Sequence, residues 1–189
     1  MQAADHPAEA STGPAAPQLL RAAFRDLHGS RLHAFALLLT LGDRRRAASL
    51  AGEAIAAGSD HLPELRHPER AAAWLRARVL RSAGSDDRRL DVAERLASLT
   101  DLHVEPAALA GLSGLSRVER AGLIATTIER LDRRDVAVVV GRDGDRLDAL
   151  LKRARRQYLD GATATPDELD GPAGPIAQRI AESAARTMA

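Results

Sequence analysis

The amino-acid sequence predicts an all-α protein of two small helical domains, a three-helix bundle and a helix-turn-helix domain, joined by a linker. Three observations support this fold class. Apolar residues recur three and four positions apart in both halves, helix-capping residues precede those stretches, and glycine or proline interrupts them. The 189 residues leave room for one ordinary domain or two small helical ones. A large multidomain enzyme is therefore excluded.

The first domain is predicted over residues 18–82, after a disordered leader at 1–17 that contains three prolines among Ala, Ser and Gly. Its first helix begins near Leu19 and ends near Gly42. The apolar residues expected on its packed face are Leu20, Phe24, Leu27, Leu32, Phe35, Leu38 and Leu39.

Two further helices complete the first domain. Asp43 is the expected N-cap of the second helix, which continues to about Gly58. Pro68 suits the first turn of the third helix, where its missing N–H costs nothing. Trp74 and Leu75 lie on that third helix and are expected to pack. The three short-linked helices predict one bundle.

The predicted linker occupies residues 83–112. Its first part is polar, and Leu90 to Leu99 can form a helix. The stretch from Val104 to Gly114 contains Pro106 and two glycines, so we expect it to be only partly ordered.

The second domain is predicted over residues 113–160, followed by a flexible tail at 161–189. Ser116 and Glu119 have the spacing of a capping box, and a helix follows them. Asp132 caps the next helix, whose valine-rich run could also suit a strand. We predict a helix because the run is short and ends at Gly141. The last helix is predicted from Arg146 to Leu159, which completes a helix-turn-helix.

The composition excludes several classes of function. The chain has no cysteine, only 2% aromatic residues, and no apolar run near the roughly 20 residues of a membrane helix. The six histidines lack metal-ligand spacing, and no nucleophile motif or phosphate-binding loop is present. We therefore expect no catalytic residue, metal, cofactor, membrane contact or small-molecule substrate. No secretory signal is visible, and a cytoplasmic location is expected.

Three segments resemble the bacterial RNA polymerase sigma factors of the extracytoplasmic-function group. Residues 42–55, GDRRRAASLAGEAI, resemble the family's polymerase-binding helix, and residues 68–75, PERAAAWL, resemble the stretch before its downstream-element helix. Residues 115–156 resemble the domain that binds the upstream promoter element. The resemblance implies a protein that binds core RNA polymerase and directs it to promoter DNA. The polymerase-binding residues that it implies are Asp43, Leu50 and Glu53.

The helix-turn-helix retains a set of cations that could contact DNA phosphates. These candidates are Arg142, Arg146, Lys152, Arg153, Arg155 and Arg156. The positions where the family presents a basic and polar cluster to the major groove are Asp148, Ala149 and Leu150, and Asp143 and Asp145 precede them.

Two alternatives stay open, and the acidic residues favour the first of them, since carboxylates facing phosphates are repelled. The first is a degenerate sigma-like interaction module that binds a protein such as an anti-sigma factor and no longer recognises promoters. The second is a helix-turn-helix regulator that acts without polymerase.

Overall fold

The computed structural model describes residues 16–62, 64–65, 67–84, 97 and 106–162. Within these ranges the regular structure is entirely helical, which confirms the all-α class. We number seven α-helices in chain order. They are α1 (Ala16–Leu39), α2 (Arg44–Asp60), α3 (Pro68–Ser82), α4 (Pro106–Ser113), α5 (Arg117–Leu123), α6 (Arg133–Val140) and α7 (Gly144–Ala162), and a π-helical segment (Ile124–Ile128) extends α5.

Helix α1 begins at Ala16, within the leader predicted at 1–17, and residues 1–15 lie outside the described part. Phe24, Leu32 and Phe35 are buried as expected, but Leu20 and Leu27 are 62% and 58% exposed. The prediction for these two leucines was wrong, because they lie beside the buried stripe rather than within it.

Helix α1 ends in a tight reversal. Leu41 and Gly42 have φ values of 56° and 90°, and the Gly42 N–H donates to the Leu37 carbonyl at 2.8 Å. Positive φ suits glycine, which explains the stop at Gly42. The Asp43 carboxylate then accepts a hydrogen bond from the Arg46 N–H at 3.0 Å, which confirms Asp43 as the N-cap of α2.

The segment predicted as a partly ordered link instead contains helix α4. Pro106 occupies its first position, where proline is tolerated, and Ala108, Leu109 and Leu112 are buried. Gly111 permits a close approach to α7, since a Cβ atom there would lie 2.7 Å from the Tyr158 ring. The prediction failed because this glycine serves packing and does not break the helix.

The predicted caps of the second half are confirmed. Ser116 and Glu119 form a complete capping box on α5. Asp132 caps α6, and the valine-rich run is helical and ends at Gly141 in the left-handed conformation. Helix α7 begins two residues before Arg146 and continues beyond Leu159.

Some predicted segments lie outside the described residues. They include Leu90–Leu99 except Ala97, which is helical, and the tail beyond Ala162.

We call α1–α3 the first helical group and α4–α7 the second helical group. Helix α3 contacts α6, and α1 contacts α5 and the π-helical segment. One hydrophobic cluster includes Phe35 and Val79 of the first group together with Ile124 and Val139 of the second. The two groups therefore pack on each other, while their division into two domains stays a prediction.

Candidate functional site

The turn between α6 and α7 has the connectivity of a helix-turn-helix. The Asp132 carboxylate accepts from the Asp135 N–H at 2.8 Å at the start of α6, and the Gly141 N–H donates to the Ala137 carbonyl at 2.9 Å at its end. Gly141 has φ 66°, which places it in the left-handed region. Arg142 and Asp143 are the only residues between Gly141 and the first residue of α7. The connection is thus short enough to hold the second helix at a fixed angle to the first.

Helix α7 separates an apolar face from a charged one. Leu147, Leu150, Ala154 and Tyr158 are buried at intervals of three and four residues. Leu150, one of the positions matched to the family's groove-facing cluster, therefore belongs to the core. Of the six predicted phosphate contacts, Arg155 is half-buried, and the exposed ones are Arg142, Arg146, Lys152, Arg153 and Arg156.

Arg153 has a structural role that the sequence analysis did not foresee. Its Nε donates to Oε1 of Glu119, so it ties α7 to the start of α5. The other carboxylate oxygen of Glu119 accepts from the Ser116 N–H at 3.1 Å. Although burial acts to raise it, the hydrogen bonds from Ser116 and Arg153 hold the pKa of Glu119 below its usual value. Arg153 thus helps to fix α7 whatever else it contacts.

Asp148 forms an ion pair with Arg133 across the helix-turn-helix. Nη1 of Arg133 donates to Oδ1 of Asp148, and Nη2 donates to Oδ2 at 2.8 Å. Nη2 also donates to the Gly144 carbonyl at 3.3 Å. This hydrogen bonding lowers the pKa of Asp148. Sequence reasoning missed Arg133, because a contact 15 residues apart between two helices follows no helical spacing.

The three predicted polymerase-binding residues occupy different environments on or before α2. Asp43 is half-buried at the N-cap. Glu53 is exposed, and its Oε1 accepts from the Ser49 hydroxyl at 2.7 Å. Leu50 is only 5% exposed and belongs to the core, so its side chain is not presented to a partner in this conformation. Glu53 is the one of the three that stands on the surface.

Two features are absent from the described residues. No group of three or more His, Asp or Glu in that part of the chain could hold a metal ion. In the same residues, no helix combines the length and the apolar character needed to cross a bilayer.

Comparison of the chain with protein-family models, with curated proteins and with solved structures finds no match. A functional proposal therefore depends on the residues of the chain and their arrangement.

Proposed function

We propose that this chain is a sigma-like protein that binds core RNA polymerase and directs it to promoters. The observation that carries the proposal is the helix-turn-helix of α6 and α7, with Arg142, Arg146, Lys152 and Arg156 exposed at or after its turn. In the chain, this helix-turn-helix comes after α2, whose sequence resembles the family's polymerase-binding helix. This order is typical of the family. Both resemblances point to transcription initiation.

The roles within the helix-turn-helix follow from how such motifs dock. The N-terminal residues of the second helix face the base edges, and flanking cations contact phosphates. Arg142 and Arg146 lie at this N-terminal end, while Lys152 and Arg156 lie two and three turns further along α7. All four cations are thus assigned to phosphates, the first pair beside the turn and the second pair further along α7.

Polymerase binding is assigned to the exposed side of α2 around Glu53. The family places acidic residues on this helix, and Glu53 retains one of them on the surface. Arg44 and Arg45 are also exposed near the helix start, so this surface carries both signs of charge. The polymerase contact is therefore expected to depend on Glu53 and to weaken with salt.

The first experiment is co-elution with bacterial core RNA polymerase on gel filtration at moderate salt. We expect a one-to-one complex with the wild-type chain and a loss of about tenfold in affinity for Glu53→Lys, since the change replaces an attractive charge by a repulsive one. Glu64→Lys is the matched control, because Glu64 is an exposed glutamate outside α2. Absence of a complex from a correctly folded wild-type chain would refute the proposal.

A second candidate function is an interaction module that has lost promoter recognition. Asp148 favours it, because a carboxylate held by Arg133 stands at a position that the family uses for the major groove. Asp148→Lys discriminates between the two. The variant should bind promoter DNA more tightly if this face still meets DNA, and it should leave DNA affinity unchanged if the face binds a protein.

A further inference from the structure

A crevice opens where the ends of α3 and α6 meet the start of α5. Its volume is about 330 Å³, which is at the lower end of the range for small-molecule sites. The residues that line it are Leu80, Arg81 and Gly84 at or just after the end of α3, Arg117 and Val118 in α5, and Val138–Gly141 at the end of α6.

Three helices each leave an aliphatic side chain incompletely covered at this crevice. Leu80 of α3 and Val118 of α5 are half-buried, and Val138 of α6 is 51% exposed. Val139 and Val140, which also line the crevice, are buried. An apolar group bound here would remove the exposed parts of the first three side chains from water, which is favourable.

Both charged residues that line the crevice are arginines. Arg81 is exposed at the end of α3 and forms no ion pair with any described residue. Arg117 is half-buried, and its Nη1 donates to the Ala83 carbonyl at 3.0 Å, which holds its guanidinium at this end of the crevice. Arg46 of α2 donates to the same carbonyl. The nine described residues that line the crevice include no carboxylate, so the crevice is complementary to an anion.

The arrangement of the lining residues favours an amphipathic ligand. A guanidinium binds a carboxylate or a phosphate through two parallel N–H groups. Arg81 is exposed, whereas Val139 and Val140 are buried. An anionic head at Arg81 therefore stays next to the solvent, while an apolar chain attached to it lies against the valines.

The volume of the crevice limits the ligand to a short chain. A water molecule takes about 30 Å³ in the liquid, so this space holds roughly ten non-hydrogen atoms. A medium-chain fatty acid such as octanoate has this size and carries a carboxylate head. The nine described lining residues carry no hydroxyl, imidazole or carboxylate group that would act as a nucleophile or a general base. The molecule is thus bound and not converted.

We propose that this crevice binds a small amphipathic anion. Its carboxylate or phosphate pairs with Arg81, and its short alkyl chain covers Leu80, Val118 and Val138. None of the lining residues is assigned above to promoter DNA or to core polymerase, so the site does not depend on the sigma-like function. The ligand contacts three helices of the folded chain and therefore stabilises it by mass action.

The first test is a titration of the full ¹⁵N-labelled chain with octanoate, followed by NMR of the backbone amides. We expect the largest shifts at Gly84, Val118 and Val138–Gly141, with a Kd of about 0.1 to 1 mM, which suits a ligand of roughly ten non-hydrogen atoms. A parallel titration with octyl phosphate identifies the preferred head as the one that binds these amides more tightly. Absence of shifts at the crevice amides with both ligands would overturn the proposal.

Octanol and octylamine test the charge of the head. Octanol keeps the alkyl chain without the anion, and it should bind about tenfold more weakly than octanoate because it lacks the charge-assisted hydrogen bonds to Arg81. Octylamine carries the opposite charge and should not shift the crevice amides over the same range of concentration. Equal affinities for octanoate and octylamine would overturn the assignment of an anion.

Two pairs of variants test where octanoate binds. Arg81→Gln should weaken its binding by about five- to tenfold, whereas Arg78→Gln, at an exposed position of α3 that does not line the crevice, should change it by less than about twofold. Val138→Asp should weaken binding at least about tenfold, because it places a second carboxylate beside that of the ligand. Leu27→Asp is its matched control, since Leu27 is 58% exposed on α1.

All four substituted residues are exposed, so we expect each variant to fold, and its amide spectrum reports whether it does. Unchanged octanoate affinity in folded Arg81→Gln and Val138→Asp variants would overturn the proposal, as would equal losses in the two control variants. The result is independent of whether the chain binds core polymerase.

Discussion

The guanidinium of Arg120 donates a hydrogen bond to the carbonyl of Leu39 at 2.6 Å, joining two residues 81 positions apart in the sequence. Leu39 is the last residue of α1, and Arg120 lies in α5. One side chain therefore completes the end of a helix in the first group while it also bonds to Leu112 and Leu115 in the second. Substitution of Arg120 can therefore measure how much this contact between the two helical groups contributes to stability.

Arg120→Lys should lower the free energy of unfolding by about 3 kcal/mol, because an ammonium on a narrow stem cannot reach three carbonyls in three directions. Urea unfolding followed by circular dichroism measures the change. Arg134→Lys is the matched control at an exposed position of α6, and we expect it to stay within about 0.5 kcal/mol of wild type. Equal values for the two variants would contradict the role given to Arg120.

Arg76→Met should lower the unfolding free energy at pH 7 by about 3 kcal/mol, since it leaves the Glu129 carboxylate, whose side chain is only 11% exposed, without its partner. The loss should shrink as the pH falls from 7 to 5. A carboxyl whose pKa is raised in the folded state, as burial raises that of Glu129, binds protons more tightly in that state than in the unfolded chain. Lowering the pH therefore favours folding until the pH reaches the pKa of the unfolded chain, about 4.5.

The other charged groups near Glu129 and Arg76 do not reverse that direction. Arg31 lowers the pKa of Glu129 only weakly, as the last of its causes. Burial and the charge of Arg76 lower the pKa of His28, so removal of Arg76 also makes protonation of His28 less costly. Unfolding curves at three pH values, compared with those of Arg76→Met/Glu129→Leu, check the prediction. If the stability of Arg76→Met changed with pH in parallel with that of wild type, the predicted pH dependence would be contradicted.

Two glycines of α2 should respond in opposite ways to alanine. A Cβ at Gly58 would lie 2.9 Å from Cε1 of Phe24, so Gly58→Ala should destabilise the fold by about 1 to 3 kcal/mol. A Cβ at Gly52 meets nothing within 4 Å, and Gly52→Ala should stabilise α2 by up to about 1 kcal/mol. Thermal unfolding of both variants tests the pair. A loss of stability in Gly52→Ala would contradict the placement of that residue on the surface.

The Glu119 carboxylate in the capping box of α5 should contribute less stability as the pH becomes acidic. Because the pKa of Glu119 is lowered in the folded state, its contribution is complete above the ordinary value of 4.5 and is lost as the pH falls through the lowered value. Glu119→Gln should therefore be less stable than wild type at pH 7, by about 1 kcal/mol or more, and this difference should narrow as the pH falls below 4.5. Unfolding at a series of pH values from 7 downward measures the difference, and a gap that stays constant over the whole series would argue against the prediction.

If α7 contacts DNA, removing its exposed cations should change how DNA affinity depends on salt concentration. Lys152→Ala and Arg156→Ala should each weaken binding regardless of DNA sequence and reduce the slope of log affinity against log salt by about one. Arg25→Ala, an exposed arginine of α1, is the control. Arg153→Ala should also lower thermal stability, because Arg153 holds Glu119. An unchanged slope in all three α7 variants would assign this face to another partner.

The local features of the fold could be predicted from the sequence because neighbouring residues determine them. Asp43, Ser116 and Asp132 cap helices through hydrogen bonds to residues three positions later. Gly42 and Gly141 end helices because they adopt positive φ. The spacing of apolar residues defined the buried face of α7 in the same way. Helical class and most helix boundaries follow from such contacts within one turn.

Other features depended on residues far apart in the chain, and only the tertiary structure decided them. Gly111 serves a close contact with Tyr158 rather than a break, and Leu20 and Leu27 stay exposed although they have helical spacing. Arg133 neutralises Asp148, and Arg153 supports Glu119. Arg76 and Arg120 join the two groups through a carboxylate and a carbonyl that no periodic pattern marks. The sequence by itself determined the helices and their caps, because those energies are local; the packing of the helices determined which charges are buried, paired or left on the surface.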